Sequence, residues 1–132
     1  WVYSFNAQCG TLAGTINSEH HAKFPEGSGP RHLDFHPNGR WVYVLCELDG
    51  NIVTCDWDGS EGRLILKHSV SAVPEGKSSC RAHHSGGSSI RVAPNGQRVY
   101  ASHRTDDIIV VFGVDESTGS LNKLQTVSCG GL

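Results

Sequence analysis

The sequence carries an internal repeat, and this repeat restricts the folds that are open to the chain. A match without a gap runs from Pro37 to Leu64 in the first copy and from Pro94 to Leu121 in the second, at an offset of 57 positions. Each copy begins with Pro-Asn-Gly, a tight-turn sequence in which Pro presets φ and Asn-Gly accepts a positive φ. Runs rich in β-branched and aromatic residues flank the turns and predict strands. Four antiparallel strands repeated at about 40 to 50 residues are typical of a β-propeller blade.

The strand pattern predicts an all-β fold, a β-propeller of four-stranded antiparallel blades, of which the chain holds about two and a half. Residues 1–31 predict a half-blade and a connection, residues 32–88 a full blade and a connection, and residues 89–132 a full blade and the start of the next connection. The strands of the two full blades are expected within 32–73 and 89–128. Propellers close with roughly four to eight blades, and the chain neither starts with Met nor contains one. We therefore expect one partial propeller domain, completed by the remaining blades or by other protein chains.

Composition and charge argue against two classes of function. No run of about 18 apolar residues exists that would cross a membrane as a helix. The formal net charge is -2 and the isoelectric point is near 6.5, so the chain lacks the global basic field of a nucleic-acid-binding protein. We expect a soluble protein that binds neither a membrane nor nucleic acid.

The cysteines are expected to be reduced thiols. Their number is odd, and none has the CxxC spacing of a metal site; they are Cys9, Cys46, Cys55, Cys80 and Cys129. Because Cys46 and Cys55 flank a turn at cross-strand spacing, a bridge between them is the alternative in an oxidising compartment. Free thiols are typical of the cytoplasm, which is the predicted location.

Polar residues of unlike chemistry are predicted at one end of the blades. His32 starts an innermost strand, Glu47 ends the second strand of the same blade, and Arg104 matches Glu47 one blade further along. Because successive strands are antiparallel, the entry to the first strand and the turn after the second lie at the same end of a blade. We expect these three side chains, with Arg31 beside them, near the mouth of the central channel.

Two histidine pairs raise the question of a metal site. His20-His21 and His83-His84 lie in the two matching connections, but neither pair has a third ligand at a set spacing. We expect no metal and no cofactor.

His36 is assigned to the first Pro-Asn-Gly turn. The aromatic residues on strand positions are expected to pack within and between blades rather than to stack on a sugar; they are Trp41, Tyr43, Trp57 and Tyr100.

The order of these motifs resembles one family. The segment 29–32 reads Gly-Pro-Arg-His, the segment 36–39 reads His-Pro-Asn-Gly, and a Cys-Glu-Leu turn follows at 46–48. Together they are similar to the seven-bladed lactonases, which include the bacterial-type 6-phosphogluconolactonases and the fungal carboxymuconate lactonizing enzymes. The resemblance implies a seven-bladed ring of which this chain is a part, and it implies that His32, Glu47 and Arg104 are site residues with Arg31 beside them.

The chemistry of lactone opening suits these residue types. A base activates water, for which an imidazole or a carboxylate serves, and arginine binds an anionic group or stabilises the developing oxyanion. We assign acid or base catalysis to His32 and Glu47, and anion binding to Arg31 and Arg104. The sequence does not distinguish which of His32 and Glu47 is the base.

The resemblance implies hydrolysis of 6-phosphogluconolactone to 6-phosphogluconate, a step of the pentose phosphate pathway, by the full-length protein. The partial propeller alone is expected to be inactive. Two alternatives remain open, a carboxymuconate-type lactonizing enzyme and a non-catalytic propeller scaffold for protein-protein interaction. The scaffold alternative draws on three departures from the residues usual in the family, at Cys46, Ser89 and His103.

Overall fold

A computed structural model describes residues 2–14, 21–73 and 86–130, and in these ranges the regular structure is entirely antiparallel β-sheet. Five residues of interest lie outside the described ranges: Trp1, His20, Cys80, His83 and His84. No helix that would cross a bilayer occurs in the part of the chain that is described.

The described residues form ten strands in three sheets. A hairpin consists of β1 and β2, a four-stranded sheet has the order β3-β4-β5-β6, and a second four-stranded sheet has the order β7-β8-β9-β10. The strands are β1 (Tyr3–Asn6), β2 (Thr11–Gly14), β3 (Pro30–Phe35), β4 (Trp41–Cys46), β5 (Asn51–Asp58), β6 (Arg63–Ser71), β7 (Gly87–Val92), β8 (Arg98–His103), β9 (Ile108–Val114) and β10 (Leu121–Ser128).

The two four-stranded sheets follow the sequence repeat. β7 and β8 begin and end 57 positions after β3 and β4. Gly39 and Gly96, the glycines of the two Pro-Asn-Gly turns, have φ angles of 71° and 74°, a left-handed conformation that glycine adopts without steric cost. The predicted four-stranded antiparallel sheets are confirmed, and in each of them a Pro-Asn-Gly turn joins the first two strands.

The main hydrophobic core lies between the two sheets. Trp41, Tyr43 and Leu45 alternate along β4 on the face that meets the second sheet, and all three are buried. From the second sheet, Ile90 and Phe112 pack against them and are fully buried. A sheet can bury such a face only against another layer, so the two blades stabilise one another.

A second core lies on the opposite face of the first sheet. Val42, Val44 and Val53 pack there with Cys46 and Cys55. Because a single sheet cannot bury its faces alone, six apolar strand residues are expected from the sequence to pack between blades: Leu33, Phe35, Val42, Val44, Ile52 and Val53.

That prediction is wrong for two of them, Leu33 and Phe35, whereas the other four are buried on one face or the other of the first sheet. Among the six, only Ile52 belongs to the core between the two described four-stranded sheets. Leu33 and Phe35 are each 46% exposed, because β3 is the edge strand of its sheet and has a neighbouring strand on one side.

At the end of the blades away from Glu47, turns of the second sheet pack on side chains of the first. The His36 ring contacts the backbone oxygen of Gly96 through Nε2 at 3.0 Å. The Tyr43 hydroxyl donates a buried hydrogen bond to the backbone oxygen of Gly119 at 3.0 Å. His36 therefore belongs to its own turn, as predicted, and also connects the two sheets.

Candidate active site

A β-bulge at the start of β3 positions the first site residue. Pro30 pairs with Cys46 and His32 pairs with Leu45, so Arg31 is an extra residue in the register. The same irregularity recurs one repeat later, where Ser88 lies between the paired residues Gly87 and Ser89. A bulge bends the strand locally and changes the direction of a side chain.

The first strands of the two sheets lie against each other beside this bulge. β3 contacts β7, and the Asp34 carboxylate accepts a hydrogen bond from the Val92 backbone N–H at 2.8 Å. Both strands are edge strands of their sheets, so the contact is made between side chains and backbone across the boundary of the two blades. It ties β3 to β7 near the ends of the strands that lie away from the two bulges.

Two equivalent backbone hydrogen bonds fix the turns that follow β4 and β8. The Glu47 N–H donates to the Gly29 carbonyl at 2.7 Å, and the Arg104 N–H donates to the Gly86 carbonyl at 2.7 Å. Each bond ties the end of a second strand to the connection that enters the same blade. Glu47 and Arg104 are therefore held at the rim of their blades by the same local geometry.

Across the blade boundary, the Glu47 carboxylate accepts from two arginines. Oε1 accepts from the Arg104 guanidinium through Nη2. Oε2 lies 3.4 Å from Nε of Arg31. Both carboxylate oxygens thus face a cation, and the two guanidinium groups with one carboxylate leave one positive charge in excess.

Arg31 also contacts His32 and the neighbouring blade. Its Nη1 lies 3.2 Å from Nε2 of His32 and donates to the backbone oxygen of Ser88. Because arginine only donates hydrogen bonds, Nε2 of His32 is the acceptor in this contact. The neutral His32 ring then carries its proton on Nδ1.

These contacts bring all four residues that the sequence analysis selected into one cluster: His32, Arg31, Glu47 and Arg104. The cluster is open to solvent, since the side chains of Arg31, Glu47 and Arg104 are 32%, 28% and 53% exposed. An exposed pair of guanidinium groups beside an imidazole with a lone pair can bind a small anion and accept a proton from water. Both are steps of ester hydrolysis.

A second histidine directly precedes Arg104 in the chain and is buried. His103 is only 5% exposed, and its Nδ1 lies 3.1 Å from the Asp106 carboxylate. Its ring packs on Gly86, where an added Cβ would lie 2.7 Å from the ring. Sequence reasoning missed this pair and treated His103 only as a departure from a family pattern, although the spacing of three residues to Asp106 was visible.

The sequence did not reveal the bulges or the Ser88 carbonyl as a contact of the site. A bulge depends on the pairing of two strands, and the sequence of one strand alone does not indicate it.

Among residues 2–14, 21–73 and 86–130, no group of three or more His, Cys, Asp or Glu side chains is arranged to hold a metal ion.

The thiols near the site are not nucleophiles. Cys46 precedes Glu47 and is fully buried, and burial raises the pKa of its thiol to about 11. Burial likewise raises the pKa of Cys55 to about 12. The four cysteines in the described ranges are free, as expected for them. The register of β4 and β5 pairs Cys55 with Val42 and not with Cys46.

Comparisons with known proteins agree on one family. The family described as "Lactonase, 7-bladed beta-propeller" matches residues 1–132. The 6-phosphogluconolactonase of Bacillus subtilis is 32% identical over 130 residues, which cover 98% of this chain and 35% of that protein. The 6-phosphogluconolactonase of Erwinia tasmaniensis is 35% identical over 107 residues, which cover 81% of this chain and 31% of that protein.

A solved structure gives the same result for the fold. The periplasmic gluconolactonase of Pseudomonas aeruginosa superposes with a TM-score of 0.74 at 30% identity, over 83% of this chain and 29% of that one. This chain spans about a third of the length of the curated relatives that it matches.

Proposed function

The chain belongs to the lactonase family of seven-bladed β-propellers, and we propose that the full-length protein hydrolyses 6-phosphogluconolactone to 6-phosphogluconate. The observation that carries the proposal is the continuous cluster of His32, Arg31, Glu47 and Arg104 across the boundary of two blades. The curated relatives named 6-phosphogluconolactonase support the substrate. The excess positive charge of the cluster suits a substrate that carries a phosphate.

In this proposal His32 is the base. Its Nε2 has a single contact, with Arg31, and becomes a proton acceptor when this contact opens, whereas the Glu47 carboxylate is held by two guanidinium groups. Nε2 accepts a proton from water while the water oxygen attacks the lactone carbonyl. The ring C–O bond then breaks, and the leaving alkoxide takes up a proton to give the hydroxy acid.

Glu47 positions the two arginines, and the arginines bind negative charge. Planar guanidinium groups bind phosphate or carboxylate through two parallel hydrogen bonds. Arg104, the more exposed of the two, is proposed to bind the phosphate of the substrate. Arg31 lies beside the base and is in place to contact the carbonyl oxygen or the phosphate.

Kinetics of the full-length protein test the proposal. We expect His32→Ala to lower the turnover of 6-phosphogluconolactone by about two to four powers of ten, the usual effect of losing a general base. Glu47→Gln should also lower the turnover, because the two arginines lose the carboxylate that positions them. The control is His68→Ala, since His68 is exposed on β6, at the opposite edge of its sheet from β3. Unchanged turnover in both site variants would remove these residues from the mechanism.

Two other functions are distinguished by which lactone the full-length protein turns over. A carboxymuconate-type lactone also carries carboxylates, and the excess positive charge of the cluster fits it; turnover of this lactone with no turnover of 6-phosphogluconolactone would select it. A non-catalytic scaffold for protein-protein interaction would turn over neither. The sequence features that favour this scaffold are the three departures from the family pattern, at Cys46, Ser89 and His103.

Exposed apolar side chains support further partners in the full-length protein. Tyr3, Phe5 and Leu12 of the first hairpin are 54%, 64% and 69% exposed. We propose that the remaining blades of one propeller domain, or another chain, cover such residues.

The free thiols support a cytoplasmic location, and fractionation of the source cells would distinguish it from the periplasmic location of the Pseudomonas aeruginosa relative.

A further inference from the structure

Arg31 occupies the atom of His32 that the proposed reaction needs. Nη1 of Arg31 carries two hydrogens, of which one points to Nε2 of His32 and the other to the Ser88 carbonyl. While Nε2 accepts from Arg31, its lone pair is engaged and cannot take a proton from water. The arrangement seen in the structure is therefore an inactive state of the base.

We propose that Arg31 masks His32, and that the anionic group of the substrate draws the guanidinium away and frees Nε2. The inference rests on the proposed lactonase function and adds a role to the anion. The phosphate or carboxylate then activates the base as well as binding the substrate. Arg31 becomes the residue that discriminates anionic from neutral lactones.

The contacts of Arg31 allow such an exchange. Its contact with the imidazole is to a neutral acceptor, whereas a phosphate oxygen is charged and forms a hydrogen bond roughly twice as strong. The side chain of Arg31 is 32% exposed, so an anion can reach it from solvent. The contact with Glu47 is made through Nε and not through Nη1, so it remains available as Nη1 leaves His32.

The bulge explains why Arg31 and His32 meet in this way. Adjacent residues of a regular strand point to opposite faces, and their side chains do not touch. The extra residue in the register of β3 removes this alternation at Arg31. The equivalent bulge residue of the next blade is Ser88, whose short side chain cannot mask a neighbour and whose carbonyl instead receives Arg31.

The test uses a neutral lactone, glucono-δ-lactone, and inorganic phosphate as a separate anion. In the full-length protein at constant pH and ionic strength, we expect phosphate to raise the enzymatic hydrolysis of the neutral lactone about tenfold, the value of one charge-assisted hydrogen bond released. The rate without enzyme is subtracted at each phosphate concentration. Chloride at the same ionic strength, added in place of phosphate, is expected to give no acceleration. Inhibition by phosphate, or no change, overturns the proposal.

Variants of Arg31 connect the effect to the mask. Arg31→Met should hydrolyse the neutral lactone faster than the unmodified protein without phosphate, and phosphate should no longer accelerate it. Arg31→Lys should keep part of the acceleration, because an ammonium group cannot span His32, Ser88 and Glu47 at once. Arg98→Met, at an exposed turn-side position, is the control and should respond to phosphate like the unmodified protein.

A spectroscopic measurement does not depend on turnover. In protein labelled with ¹⁵N-histidine, the Nε2 signal of His32 should move toward that of a ring nitrogen without a hydrogen-bond donor as phosphate is added. The proposal requires both this movement and the kinetic acceleration, and the absence of either overturns it. Turnover of 6-phosphogluconolactone without acceleration of the neutral lactone would leave the proposed function standing and remove the mask. Acceleration of the neutral lactone without turnover of 6-phosphogluconolactone would leave the mask standing and remove 6-phosphogluconolactone as the substrate.

Discussion

Glu47 and Arg104 occupy the same position in two successive repeats, and their side chains form an ion pair across the blade boundary. In a propeller, equivalent residues of adjacent blades are related by rotation about the central axis, so their separation grows with distance from that axis. The contact between two equivalent side chains is therefore expected on the side of the blades that faces the axis. Arg31 and the Ser88 carbonyl, which are also 57 positions apart, meet in the same way.

The first prediction concerns Arg104 and substrate binding. Because its guanidinium is proposed to bind the substrate anion, Arg104→Ala should raise KM for 6-phosphogluconolactone about tenfold to a hundredfold and change kcat much less. Steady-state kinetics of the full-length protein would measure both constants. Arg98→Ala removes an exposed arginine away from the cluster and should change neither. A fall in kcat at unchanged KM would assign Arg104 to the transition state instead.

The second prediction concerns the close approach of the two blades at Gly87. A Cβ at this position would lie 2.6 Å from the backbone oxygen of Cys46, and a backbone atom cannot move aside as a side chain can. Gly87→Ala should therefore displace the start of β7, lower the free energy of unfolding by about 1–3 kcal/mol, and raise KM because Arg104 moves away from Glu47.

Gly113→Ala is the matched control for this variant. Its added Cβ would meet Leu124 Cδ1 at 3.3 Å, a flexible side chain at an exposed position. Urea unfolding and kinetics should show a smaller effect on both quantities. Equal effects of the two variants would mean that the spacing at Gly87 has no special role in the site.

The repeat made most of the fold predictable, because turn chemistry and strand patterning are local properties of the sequence. Tight turns at Pro37 and Pro94 and the strands on either side follow from them. The clustering of Glu47 with Arg104 was also predictable, since both end second strands of equivalent blades. The exposure of Leu33 and Phe35 was not, because it depends on which strand forms the edge of the sheet. The bulge at Arg31 depends on strand pairing in the same way.

The third prediction concerns the buried hydroxyl of Tyr43. It donates to the Gly119 carbonyl at 3.0 Å in the core between the blades, so Tyr43→Phe leaves a buried acceptor without this partner. The free energy of unfolding should fall by about 1–3 kcal/mol. Tyr100→Phe, where the side chain is 41% exposed, should change stability by much less. Urea unfolding of the two variants gives the comparison, and equal losses would contradict it.

The fourth prediction concerns thiol reactivity. Cys46 and Cys55 are fully buried, and burial raises the pKa of each thiol, which disfavours the reactive thiolate. Cys9 and Cys129 are exposed. In a Cys80→Ser variant, a thiol reagent should label these two residues in the folded protein and all four after unfolding. Labelling of Cys46 or Cys55 under native conditions would show that their core opens readily.

The last prediction concerns acid stability through the turn at Asp115. Its carboxylate accepts hydrogen bonds from the Ser117 hydroxyl at 2.6 Å and from two backbone N–H groups, those of Ser117 and Thr118, at 2.9 Å each. The Ser117 hydroxyl is the largest cause that lowers the pKa of Asp115 from its ordinary value of 3.8 to about 2. A folded-state pKa below the unfolded value means that the ionised carboxylate contributes stability above about pH 4, and that this contribution is lost as the pH falls toward 2.

Asp115→Asn should therefore be less stable than the unmodified protein near neutral pH, and the difference should shrink at about pH 3. Urea unfolding at both pH values, with Glu116→Gln as the control that removes a neighbouring charge, would measure this change. A difference that stays constant from neutral to acid pH would show that the Asp115 carboxylate does not titrate in this way.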